Sequence, residues 1–86
     1  MATAGHTYTV VYERDPETGS ICASVPVLDL ATYGQSLDEA RSMMREALAL
    51  HLEGLTEENM PIPADVLHVE AMTVELDEPA PERAGL

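Results

Sequence analysis

The sequence contains no lysine, phenylalanine or tryptophan, and only one cysteine. Three tyrosines are its only aromatic residues, so a folded core must be mostly aliphatic. A single cysteine cannot form a disulfide within the chain. Cys22 lies in a run of apolar and small residues, and we interpret it as a packing residue rather than a nucleophile.

Positive charge is also scarce. Four arginines face 16 acidic residues in a chain of 86, which gives a net charge of -12. Nucleic-acid binding needs several cations to displace counterions, so the charge argues against direct binding to DNA or RNA. It favours a basic protein partner, although the alternative is that the acidity only keeps a small protein in solution.

Long apolar runs are missing as well. No segment approaches the roughly 18 apolar residues that a membrane span requires. The first residues, MATAGH, lack the charged and apolar regions of a signal peptide. We therefore expect a cytoplasmic protein without membrane contact.

Alternating apolar residues predict a β-hairpin near the start of the chain. Tyr8–Arg14 and Ile21–Val25 are the two strands, and the DPETGS segment between them is typical of a turn. Pro26 cannot donate to a sheet and should end the second strand. A short third strand is predicted at Ala31–Tyr33. The two-residue period places these side chains in the core: Tyr8, Val10, Tyr12, Ile21, Ala23 and Val25.

An amphipathic helix is predicted over Leu37–Glu53. Ser36 and Glu39 have the spacing of a capping box, in which each side chain accepts a hydrogen bond from the other residue's N–H. Gly54 suits the left-handed position that ends many helices. One helical face carries the apolar residues and His51: Leu37, Ala40, Met44, Ala47, Leu48, His51 and Leu55.

The residues after the helix predict a proline-containing connector and a fourth strand. The strand covers Asp65–Leu76, with a bulge near Ala71 where the apolar phase changes. Residues 77–86 are acidic and predict disorder. The order is β-β-β-α-β, an α+β fold with a small antiparallel sheet and one helix on one face, in a single domain of residues 1–76. The other sheet face is only partly polar, which predicts cover by a partner or a second copy: Thr9, Val11, Cys22 and Ser24.

Several sequence segments in this order resemble the HicB-like antitoxin family. They are YTVVYERD, ICASVP, TYGQS, LDEA, MMREALALHLEGL and the IP pair at Ile62–Pro63, and together they span residues 8–63. The resemblance implies a partial RNase H-like fold. It also implies an antitoxin that binds and neutralises a small basic mRNA-cleaving toxin of the HicA type.

The chain departs from that family at two places. Val27–Leu30 replaces the acidic and Pro-Gly residues that usually follow the hairpin. The 23 residues after Pro63 fit no DNA-binding module, so we expect no autorepression by this chain alone.

Acidic residues near the hairpin are the predicted partner-binding site: Glu13, Asp15, Glu17 and Asp29. They would imitate phosphate groups and attract a basic RNA-binding surface. The alternative is that they are solvated turn residues. Arg41 and Arg45, one helical turn apart, are either a surface pair partly neutralised by Asp38 or an interface anchor.

An RNase H-like sheet also raises the possibility of a weak metal-dependent nuclease. Glu13 and Asp29 are the strand-end candidates, with Asp38 or Glu39 at the helix start, but their spacing does not force the convergence that two metal ions need. We therefore predict no enzyme, no metal and no cofactor. His51 is interpreted as a histidine at the core edge, with a ligand or pH-sensing role as the alternative. A second alternative to the antitoxin is an orphan regulatory domain that forms a homodimer or higher oligomer.

Overall fold

A three-stranded antiparallel sheet and one helix form the body of the molecule in the computed structural model, which describes residues 4–78. Strands β1 (Val11–Arg14), β2 (Ile21–Val25) and β3 (Leu30–Gly34) lie in the order β1-β2-β3. A 3₁₀ turn at Pro26–Leu28 joins β2 to β3, and helix α1 (Leu37–Glu57) follows. The α+β arrangement predicted from the sequence is confirmed.

The hairpin between β1 and β2 has the turn that the sequence predicts. The Asp15 N–H donates to the Ser20 carbonyl, and the Gly19 N–H donates to the Asp15 carbonyl, both at 2.8 Å. Gly19 has a φ of 79°, a conformation that glycine adopts without steric cost. β2 ends at Val25, directly before Pro26, as expected for a residue without an N–H donor.

The core lies between β2 and the first half of α1. Its buried side chains are Ile21, Ala23, Val25, Ala40 and Met44. The alternating strand residues predicted for the core are therefore confirmed on β2. Tyr8, Val10 and Tyr12 are partly buried and pack against the core edge. Since aliphatic side chains and one methionine fill this core, the absence of Phe and Trp leaves it small.

Close approach of the helix to β3 makes Gly34 necessary. A Cβ atom at Gly34 would lie 2.5 Å from the backbone nitrogen of Ala40 and 2.8 Å from its Cα. Gly34 is buried, and its φ is not in the left-handed region. Its role is thus to let α1 pack against the sheet.

The start of α1 confirms half of the predicted capping box. The Ser36 hydroxyl accepts a hydrogen bond from the Glu39 N–H at 3.1 Å. The Glu39 carboxylate reaches back one residue further than predicted, and accepts from the Gln35 N–H at 2.7 Å. Both bonds satisfy backbone N–H groups that have no partner within a helix.

The helix ends four residues later than the sequence predicts. Gly54 is helical, and Asn59 takes the left-handed conformation instead, with a φ of 57°. The Met60 N–H donates to the Leu55 carbonyl at 2.9 Å, and the Asn59 N–H donates to the Thr56 carbonyl at 3.1 Å. This pair of bonds is a Schellman motif, in which asparagine is the usual substitute for glycine.

The predicted fourth strand is the main error of the sequence interpretation. Residues 60–78 have no regular secondary structure and pair with no strand among the described residues. The predicted disorder of 77–86 lies outside the described residues from position 79 onward. Alternating apolar residues indicate a strand, but they do not indicate which strand it pairs with. No strand in the described part of the chain pairs with this segment.

Two contacts hold the beginning of this C-terminal segment against the start of β1. The Tyr8 hydroxyl donates to the Pro63 carbonyl. The Asp65 carboxylate accepts from the Thr9 N–H at 2.8 Å and from the Thr9 hydroxyl at 2.6 Å. The hydrogen bond from the Thr9 side chain is the main reason that the pKa of Asp65 is lowered, and partial desolvation opposes it.

Candidate functional site

The sheet face that points away from α1 is uncovered in the described part of the chain. Residues paired across the three strands form two rows on this face. One row is Glu13, Cys22 and Tyr33, and the other is Val11, Ser24 and Ala31. Their neighbours along β2 are the core residues, so these six side chains point to the opposite side. We call these six residues the open face.

Tyr33 is the most prominent aromatic side chain of the open face. It is 66% exposed. Val11, Cys22 and Ser24 are half-buried. The sequence interpretation placed Tyr33 in the third strand without assigning it a role. Alternation with Thr32, which faces the helix, is the signal that could have found it.

Three of the four predicted acidic residues lie together at one end of the sheet. Glu13 is on the open face, and Asp15 and Glu17 follow in the turn after β1. The Asp15 side chain accepts from the Glu17 N–H at 2.9 Å, which fixes the local turn. All three residues are exposed. We call these three residues the hairpin acids. Glu13 lies in the same row as Tyr33, and Asp15 and Glu17 follow at that end of the sheet.

Asp29 does not join this group. It lies between β2 and β3, beyond the Val25–Leu30 end of the sheet, whereas the hairpin acids lie at the Arg14–Ile21 end. The length of β2 separates the two ends by about 13 Å. Asp29 has a φ of 53° after the 3₁₀ turn, a conformation that aspartate tolerates better than most residues. Successive connections of an antiparallel meander must lie at opposite ends, which explains the separation.

A groove lies on the opposite side of the sheet, between β1 and α1. Its volume is about 340 Å³. Val10 and Tyr12 form one wall, and Met44 and Leu48 form the other. Arg41 and Arg45 also line it, so the only two arginines of α1 both lie at this groove.

Arg41 is fixed by two neighbours. It forms an ion pair with Asp38 at 2.8 Å, and its guanidinium carbon lies 5.9 Å from the centre of the Tyr12 ring. The prediction of partial neutralisation by Asp38 is confirmed for Arg41. An exposed pair of this kind contributes less than about 1 kcal/mol. The main effect of the ion pair is to fix the position of the Arg41 guanidinium at the groove.

Other predicted site features give no convergent arrangement. Within residues 4–78, no three His, Cys, Asp or Glu side chains come together as ligands for a metal ion. Glu13 and Asp29 are at different ends of the sheet, and Glu39 is occupied by helix capping. His51 is half-buried on α1, and its role stays a prediction. No described helix is long and apolar enough to cross a bilayer.

Comparisons with protein-family models, curated proteins and solved structures found no match for this chain. Function must therefore be argued from the surfaces of the molecule.

Proposed function

We propose that this chain is a cytoplasmic antitoxin-like protein that binds and neutralises a small basic mRNA-cleaving toxin of the HicA type. The observation that carries the proposal is the open face together with the hairpin acids. It combines an exposed tyrosine, half-buried apolar residues and the Glu13 carboxylate on one side of the sheet, with Asp15 and Glu17 in the turn at the end of that sheet. Aromatic residues surrounded by polar groups are typical of protein interfaces.

The charge of the chain supports the same proposal. A protein with a net charge of -12 attracts a basic partner over long range and speeds their encounter. The hairpin acids would compete with phosphate groups for the cations of an RNA-binding surface. Tyr33 would supply apolar contact area at the centre of the interface.

The decisive test is co-expression with a short basic toxin of the HicA type, sought first in the reading frame next to the one that encodes this chain. We expect a stable complex, rescue of growth from the toxin, and weaker affinity at higher salt. Absence of a complex and of rescue would refute the proposal.

A charge-matched pair of variants locates the contact. Reversal of the hairpin acids (Glu13→Lys, Asp15→Lys, Glu17→Lys) should weaken binding by at least about a hundredfold, as expected for several charge contacts at one interface. The control reverses three acids of α1 (Glu46→Lys, Glu53→Lys, Glu57→Lys), which are exposed and away from the open face. It changes the net charge equally and should bind far better. Equal loss in both variants would contradict a local contact.

A homo-oligomeric domain without a toxin partner is the second candidate function. The observation that favours it is the exposed apolar surface of the C-terminal segment, which the toxin proposal does not use. No contact among the described residues favours the nuclease alternative.

A further inference from the structure

Residues 66–76 have the hydrophobic pattern of a strand but pair with no strand among the described residues. Leu67, Val69 and Ala71 alternate with polar residues, and after a change of phase Met72, Val74 and Leu76 continue the alternation. Eleven large apolar side chains are exposed in the described residues, and six of them lie in this segment. Such a concentration indicates a surface that another chain covers.

The segment leaves the body of the molecule at a fixed point. Hydrogen bonds to Tyr8 and Thr9 hold Pro63 and Asp65, and the Asp65 carboxylate also accepts from the Leu67 N–H at 3.3 Å. The described part of the chain measures 65 × 29 × 18 Å, with a radius of gyration of 18.8 Å. A compact chain of this length would have a radius of about 12 Å.

The body has an unfilled position for one more strand. β1 is an edge of the sheet, and the groove between β1 and α1 lies beside that edge. Its walls are apolar at Val10, Met44 and Leu48. An unprotected edge invites pairing with another strand, and natural proteins usually cover it.

The groove is lined by arginines, whereas the molecule as a whole is acidic. Arg41 and Arg45 line the groove, whereas the C-terminal segment carries Glu70 and Glu75 between its apolar residues. When the apolar side chains of this segment enter the groove as a strand, Glu70 and Glu75 lie on the other side of the strand, so the match at the groove itself is hydrophobic. The negative charge of the segment favours its approach to this part of the molecule only at longer range.

We propose that residues 66–76 of one copy of this chain add as a fourth strand to the β1 edge of a second copy, with their apolar side chains in its groove. Residues 66–76 are exposed and pair with no strand among the described residues, so the position beside β1 is open for the segment of the partner copy. Reciprocal exchange then closes a twofold dimer and covers both β1 edges. This dimer uses the helix side of the sheet, whereas the toxin proposal uses the open face. Either proposal can therefore fail while the other holds.

Amide hydrogen exchange combined with light scattering tests the proposal on the full chain. We expect a dimer and protected amides in residues 68–76, with protection that disappears on dilution as the dimer dissociates. Protection in a monomer at all concentrations would mean that the segment folds onto its own sheet. No protection at any concentration would mean that a second copy does not cover it. Either result overturns the proposal.

Paired variants of the segment test its apolar side. Val69→Lys with Val74→Lys places cations against Arg41 and Arg45, and should raise the dimer dissociation constant about tenfold or more. The control, His68→Lys with Thr73→Lys, adds the same charges on the other side of the segment and should keep the dimer.

A second pair tests the groove. Ala49→Glu puts an acidic side chain into the groove from an exposed helix position, and should weaken the dimer to a similar extent. The control is Leu50→Glu, at a neighbouring position that is 63% exposed and does not line the groove. A dimer that tolerates Ala49→Glu but not the segment variants would show that two segments pair with each other, which also overturns the proposal.

Discussion

The Asp65 carboxylate accepts two hydrogen bonds from Thr9, one from its backbone N–H at 2.8 Å and one from its hydroxyl at 2.6 Å. The two residues are separated by 56 positions in the chain. This contact ties the residues just before β1 to the C-terminal segment. The backbone N–H and the hydroxyl of Thr9 both donate to the same carboxylate oxygen of Asp65.

The Thr9–Asp65 contact should be lost in acid. Since the pKa of Asp65 is lowered below the ordinary value of 3.8, the folded form holds the charged carboxylate more tightly than the unfolded form does. The stabilisation is therefore complete above the ordinary pKa and disappears as the pH falls through the lowered one. The Thr9 amide shift in NMR should follow that titration. Asp65→Asn should abolish it, whereas Asp77→Asn should not change it.

Glycine substitutions at two positions should have opposite effects on stability. Gly34→Ala forces a Cβ against the Ala40 backbone and should cost about 1–3 kcal/mol. Gly54→Ala meets nothing within 4 Å in the interior of α1 and should stabilise by about 1 kcal/mol. Urea unfolding at one fixed protein concentration measures both changes. Equal stability of the two variants would contradict the close approach of α1 to β3.

Removal of a buried hydroxyl should not harm the fold. The Thr32 side-chain oxygen is buried, and no hydrogen-bond partner for it lies in the described residues. Thr32→Val replaces it with a methyl group of similar shape, and should leave stability unchanged or raise it by about 1 kcal/mol. Thr32→Ser keeps the hydroxyl and removes the methyl group, so it should destabilise. Thermal unfolding of both variants decides between them.

Asn59, the left-handed residue after α1, should tolerate replacement by glycine but not by alanine. Asn59→Ala should destabilise by about 1 kcal/mol, because a Cβ without a polar side chain is strained at a positive φ. Asn59→Gly should be as stable as the wild type or slightly more so. The control Glu58→Ala, at a φ of -93°, should have little effect. Helix content and urea midpoints measure these differences. Tolerance of Asn59→Ala would argue against the Schellman motif.

Several local features of this fold can be predicted from the sequence. Ser36 and Glu39 predict the helix start, Pro26 predicts the end of β2, and alternation predicts the buried residues of β2. Each of these depends on atoms only a few positions apart. The sequence predicts the start of β1 at Tyr8, three residues too early, because Tyr8 and Val10 pack against the core without pairing in the sheet.

Three parts of the fold and site differ from the prediction. Gly54 resembles a helix terminator, yet the helix continues to Glu57, and Asn59 with its two hydrogen bonds provides a local stop that the sequence pattern does not indicate. Closeness in sequence groups Asp29 with the hairpin acids, although the predicted antiparallel order of the strands already implies that the two connections lie at opposite ends of the sheet. Residues 65–76 do have alternating apolar side chains, but a strand forms only against the edge of another strand, and the sequence does not identify that edge.

The simple order of the meander and helix has a kinetic consequence. β1 pairs with β2, β2 with β3, and α1 packs directly on the strands that precede it, so the contacts of the body join segments close in sequence. Domains with such local contacts cross their folding barrier quickly, because little loop-closure entropy is lost. We expect the body to fold rapidly by itself. Any pairing of the C-terminal strand would then be a separate, slower bimolecular step, whose rate rises with the amount of protein present.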